Sequence, residues 1–138
     1  MYTKDLLEPP NPARSPYVLI GGAAVVRRLV DTFYDLMDED PDYFGIRKLH
    51  PQSLSGSREK LFMFLSGWLG GPLLYANEFG HPRLRARHSP FSIGIAERDE
   101  WMMCMRQAME VVGIDVLLRS QLQASFANTA DWMRNREG

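Results

Sequence analysis

The sequence predicts an all-α fold, and three observations carry that expectation. Apolar residues recur at three- and four-residue spacing over long stretches. No alternating apolar and polar run bounded by hairpin turns occurs. Glycines and prolines fall where the periodic stretches end, as helix boundaries require. With 138 residues, 45% of them hydrophobic, the chain can bury one core but is short for two domains.

The elements follow in order. Residues 1 to 16 carry Pro9, Pro10, Pro12 and Pro16 with little periodicity, and read as a flexible proline-rich extension before a single domain spanning 17–138. From Gly21 onward, Val25, Val26, Leu29, Val30, Phe33, Tyr34, Leu36 and Met37 trace one side of a helix that must end before Pro41. The stretch PDYFGIRKLHP, broken by Gly45 and Pro51, predicts short helical turns or a packed loop. Ser55 or Ser57 is expected to cap the next helix, whose apolar face comprises Leu61, Phe62, Phe64, Leu65, Trp68 and Leu69 and which stops at Gly70-Gly71-Pro72. A short segment, LLYANEF, precedes a break at GHP. Two longer helices close the chain, from about Ala96 to Val112 and from Asp115 to about Arg136, with Gly113 and a capping Asp115 at their joint.

Charge excludes several partners. Sixteen basic and seventeen acidic residues give a net charge of -1, which argues against nucleic acid and against a polybasic membrane contact. No window holds the roughly 18 apolar residues of a membrane helix, and the first residues lack a signal peptide's apolar core. The lone Cys104 rules out an internal disulfide and fits a reducing, cytoplasmic setting. Tyr75 and Phe79 read as exposed aromatics that leave either a monomer or a homodimer open.

The chemistry-bearing residues are few. No serine or cysteine has the frame of a nucleophile, and neither glycine pair has the lysine and spacing of a phosphate loop. His81 and His88 lie seven apart across turn-like sequence, so they do not form the same-face pair of a helical zinc site. One imidazole suffices for a haem iron, because the porphyrin supplies the other four nitrogens. The stretch RLRARHSPFSIG offers what such a site needs: His88 as ligand, Arg83, Arg85 and Arg87 for propionates, and Phe91 and Ile93 as apolar wall. Taken alone, it reads more readily as a surface histidine in a basic loop.

The wider sequence resembles the truncated haemoglobins of the second group, the two-on-two helical globins of bacteria and plants. The resemblance covers about residues 17 to 135. It runs through IGGAAVVRRLVDTFYDLM and SREKLFMFLSGWLGGP, and most specifically through GHPRLRARHSPFSIGIAERDEWMMCM. It implies a truncated globin fold, a two-on-two helical sandwich around haem b (iron protoporphyrin IX), with His88 as proximal iron ligand. Arg85 and Arg87 would meet the propionates, and Phe91, Ile93, Leu61, Phe64, Leu65 and Met105 would line the porphyrin. Tyr34 and Trp101 match the family's distal tyrosine and tryptophan. His50 stands where many members have tyrosine, and two roles stay open for it: a neutral imidazole that donates to bound oxygen, or a possible sixth iron ligand when no gas is present.

The implied ligands are dioxygen, carbon monoxide, nitric oxide or peroxide. Two distal hydrogen bonds would slow oxygen release enough to favour ligand chemistry or sensing over bulk transport. Nitric oxide dioxygenase or peroxidase-like activity would then need an external reductase, which the sequence does not identify. Two alternatives come from other classes: a bis-histidyl electron-transfer or redox-sensing haem protein, and a haem-free helical interaction module that uses its Met-rich faces.

Overall fold

In the computed structural model, residues 15–81 and 93–132 are described. All regular structure among them is helical: α1 (Pro16–Ile20), α2 (Ala23–Glu39), a 3-10 turn (Pro41–Tyr43), α3 (Phe44–Arg47), α4 (Ser55–Trp68), α5 (Leu74–Phe79), α6 (Ile95–Val112) and α7 (Val116–Trp132). None of these helices is long and apolar enough to cross a membrane.

Helix α2 is the central one, and its sequence says why. Val26, Leu29, Val30, Phe33, Tyr34 and Met37 recur at three- and four-residue steps, and all six are buried. The helix packs against α6 most extensively, and also against α4, while α6 in turn packs against α7. These two pairs, α2 with α4 and α6 with α7, form the two-on-two sandwich. Leu65 and Leu69 enter the core from α4, Cys104, Met105, Ala108 and Met109 from α6, and Leu118, Leu122 and Phe126 from α7.

The sequence reading anticipated no helix before Gly21. Yet Ser15 caps α1, its hydroxyl accepting from the Val18 amide at 3.3 Å, and Pro16 fills the first turn, where a missing amide hydrogen is harmless. The Tyr17 amide donates to the Leu69 carbonyl at 2.9 Å and so ties α1 to the end of α4. Gly21 and Gly22 then turn the chain into α2 with φ of 120° and 76°, a region that side-chain-bearing residues avoid.

Two expectations are corrected. Neither Ser55 nor Ser57 caps α4: the capping position is Leu54, without a side-chain cap bond, and both serines lie inside the first turn. The preceding loop is fixed instead by Arg47, which donates to the carbonyls of Pro51 at 2.9 Å and Gln52 at 2.8 Å. Tyr75 is buried rather than exposed, because its ring is enclosed by Phe64 and by Phe79, with centroids at 6.4 and 4.9 Å. Phe79 does face solvent.

The last helix begins as expected on Asp115, and the one before it begins with an acidic side chain that the sequence reading did not single out. Glu97 accepts from the Gly94 amide at 2.7 Å, and Asp115 accepts from the amides of Leu117 and Leu118 at 3.1 and 3.3 Å.

Candidate functional site

The site is built on a line of rings that crosses the sandwich. His50 meets Tyr34 edge-on at 5.7 Å, Tyr34 meets Phe33 at 5.1 Å, and Phe33 meets Trp101 at 5.3 Å. Beyond them Trp101 meets Phe126 at 5.5 Å, which stacks on Trp68 at 4.7 Å. Edge-to-face and offset contacts at these distances stabilise aromatic pairs beyond simple area burial. Three candidates from separate parts of the sequence, Tyr34, His50 and Trp101, are thus brought together around Phe33.

Tyr34 is held from above by Arg58 of α4. The guanidinium lies 5.9 Å from the Tyr34 ring centroid and pairs with Asp35 at 2.7 Å and Asp31 at 3.2 Å. Burial pushes the Tyr34 hydroxyl well above its ordinary acidity range; Arg58 opposes that shift and Cys104 adds to it. The phenol therefore keeps its proton near neutral pH and acts as a donor.

His50 is fixed from the other side of the ring. Its Nδ1 lies 2.8 Å from the Ile46 carbonyl oxygen. A carbonyl only accepts, so Nδ1 carries the proton, and in the neutral form of the ring the lone pair is on Nε2. In this tautomer Nε2 accepts a hydrogen bond or ligates a metal; to donate, it needs a second proton or a turned ring.

The donors themselves test the fit to a haem ligand pocket. Among the described residues, neither the Tyr34 hydroxyl nor the Trp101 indole N–H makes a hydrogen bond. Yet no fully buried side-chain nitrogen or oxygen among the described residues lacks a partner. Both groups therefore open on space not filled by protein, although Tyr34 is only 6% exposed. A donor on buried Tyr34 and another on half-buried Trp101, in an apolar, aromatic setting, suit a small ligand that gathers negative charge, and the residues present fit the group.

The apolar candidates divide by burial. Leu61 and Phe64 are half-buried, whereas Leu65, Ile93 and Met105 are enclosed. His88, Arg83, Arg85, Arg87 and Phe91 lie outside the described residues. Residues missed in the sequence are Phe33 as the common support, Arg58 over Tyr34, and Glu100, whose carboxylate accepts from the Ile46 amide at 3.2 Å. Among the described residues no cluster of three or more His, Cys, Asp or Glu could hold a bare metal ion.

Cys104 sits beside this site as packing. Its Sγ donates to the Phe33 carbonyl at 3.2 Å, and burial, with a smaller push from Asp40, raises its pKa from 9.0 to about 12. Only the unfolded thiol ionises between those values, so Cys104 lowers folding stability progressively as pH rises from 9.0 toward about 12. Iodoacetamide at pH 8 should leave the native thiol unlabelled over hours and alkylate it promptly in urea; rapid native labelling would contradict its burial.

Comparison with known proteins agrees with this geometry. A family described as bacterial-like globin matches residues 15–135. The group 2 truncated haemoglobin YjbI of Bacillus subtilis is 39% identical over 122 residues, covering 88% of this chain and 89% of that protein. The group II 2-on-2 haemoglobin of Agrobacterium tumefaciens superposes with a TM-score of 0.86 at 45% identity, covering 89% of this chain and 95% of that one. A truncated oxygen-avid haemoglobin of Bacillus subtilis superposes with a TM-score of 0.82 at 39% identity, covering 88% and 100%.

Proposed function

Because this chain belongs to the bacterial-like globins, among the group II truncated haemoglobins, we propose that it retains dioxygen for onward chemistry rather than carrying it. Haem binding follows from the family. Haem b is the form proposed here, with His88 as proximal ligand, Arg85 and Arg87 toward the propionates, and Phe91, Ile93, Leu61, Phe64, Leu65 and Met105 as apolar wall. The observation that carries the reading is the pair of donors, the hydroxyl of buried Tyr34 and the indole N–H of half-buried Trp101, neither of which is hydrogen-bonded among the described residues.

When bound, the haem supplies a ferrous iron that takes a diatomic ligand and shifts charge toward it. The protein's part is electrostatic. Tyr34 keeps its proton and offers its O–H to that charge, Trp101 offers its indole N–H as a second donor, and the Phe33 ring fixes the spacing between them. A ligand held this way leaves slowly. An oxygen-avid relative is consistent with that behaviour. Conversion of nitric oxide to nitrate fits a retained dioxygen, with one electron per turnover supplied by an external reductase; peroxide-linked oxidation and sensing use the same retention.

A second reading is favoured by the His50 tautomer. With Nδ1–H committed to Ile46, Nε2 holds the lone pair that an iron ligand requires. His50 would then hold the iron through Nε2 when no gas is bound, and its displacement would precede dioxygen binding. Absorption spectra of the ferric, ferrous and carbon monoxide forms test both readings. A low-spin ferric spectrum that turns high-spin in His50→Ala supports the sixth ligand; a high-spin spectrum in both proteins removes it. A purified protein with no Soret band after haem supplementation would overturn the assignment to haem chemistry altogether.

A further inference from the structure

We propose that Glu100 is a positioning residue for His50, acting through the backbone of the short helix α3. It rests on the reading of His50 as a distal residue of the haem pocket. The Glu100 carboxylate reaches from α6 across to α3, where Oε1 accepts from the Ile46 amide at 3.2 Å. The carbonyl of the same residue accepts from His50 Nδ1 at 2.8 Å. Ile46 is therefore bonded on both sides, by Glu100 at its amide and by His50 at its carbonyl. A carboxylate is a stronger acceptor for a backbone amide than a neutral oxygen, so Glu100 anchors the turn whose carbonyl holds the imidazole.

Gly45 makes room for this clasp. A Cβ at Gly45 would meet the Glu100 carboxylate, with Cδ and Oε1 both at 2.8 Å. Its backbone is not in the left-handed region, so a side chain there would displace the Glu100 carboxylate rather than strain the chain. Glu100 also precedes Trp101 directly on α6. One turn of α6 thus supplies a distal donor and anchors the short helix that precedes His50 and whose Ile46 carbonyl holds its ring.

The clasp predicts a specific coupling. Gly45→Ala removes a helix-interior glycine but displaces the carboxylate, whereas with Glu100→Ala already present only the helix-favouring effect remains. The change in Tm on Gly45→Ala should therefore be more favourable by about 3–6 °C in the Glu100→Ala background than in wild type. Equal shifts in the two backgrounds would overturn the clasp.

Position is read separately from stability. In wild type, long-range 15N–1H NMR should find His50 in the Nδ1–H form, and the carbon monoxide complex should show one dominant C–O stretching band. Glu100→Ala should mix in the Nε2–H form and split or broaden that band. Glu100→Gln, which keeps an oxygen acceptor, should restore both wild-type signatures. A Glu100→Ala protein with an unchanged tautomer and an unchanged band would leave Glu100 as surface packing only. Should the chain take up no haem, the proposed function falls, while the tautomer and the Tm coupling of the haem-free chain still decide the clasp.

Discussion

Trp101→Phe is expected to release dioxygen about ten- to a hundredfold faster than wild type, and Tyr34→Phe to do so by a similar factor, in stopped-flow displacement by carbon monoxide. Both substitutions keep a ring. Phe at 101 still packs against Phe33 and Phe126, and Phe at 34 still meets His50 and Phe33, so each removes a donor and little packing. The size of the effect follows from the setting: a hydrogen bond to a charged acceptor contributes about 1.5–3 kcal/mol, and the low-dielectric pocket keeps it from being diluted by water. The double variant should fall short of the product of the two factors, because both donors rest on Phe33 and loss of one lets the other shift. An unchanged release rate in Trp101→Phe would remove that residue from the donor set; unchanged rates in both would overturn retention as the basis of function.

Much of this site was legible in the sequence, and what was not has identifiable causes. The long helices announce themselves because α2 and α6 repeat apolar residues at helical spacing between glycine or proline stops. Helix α1 does not, since five residues with one buried side chain, Ile20, show no period. Tyr34 and Trp101 were found through the family resemblance, not through spacing, because an inward-facing aromatic on a helix reads as core. Indeed both pack as core while presenting a polar tip. The Tyr75 ring was misjudged because its cover, Phe64, comes from a different helix. Glu100 left no trace at all: one acid among the four on α6 has no periodic signature, and its partner is a backbone amide 54 residues away. The His50 tautomer was equally hidden, because it depends on where the Ile46 carbonyl points.

Phe33→Ala should have the largest effect on folding, lowering stability by about 3–5 kcal/mol. Phe33 is completely buried in α2, the helix that meets both α4 and α6, and its ring is in contact with Tyr34 and Trp101. Truncation removes the buried ring and leaves a cavity between two large aromatics that cannot both close on it. For a domain of this size the loss corresponds to a fall in Tm of roughly 10–20 °C. In urea the midpoint should drop while the slope of the transition stays constant, since the same surface is exposed on unfolding. Phe33→Leu keeps most of the volume and should lose about 1–1.5 kcal/mol. The same series separates the presence of the donors from their placement. Phe33→Ala keeps the Tyr34 hydroxyl and the Trp101 indole but removes the ring that spaces them. Dioxygen release should therefore accelerate severalfold in Phe33→Ala at a temperature where the variant is still folded, and less in Phe33→Leu. If Phe33→Ala loses stability as expected while its release rate matches wild type, Phe33 supports the core without positioning the donors. A stability loss below about 1 kcal/mol would contradict the packing itself, because a fully enclosed phenylalanine cannot be truncated so cheaply.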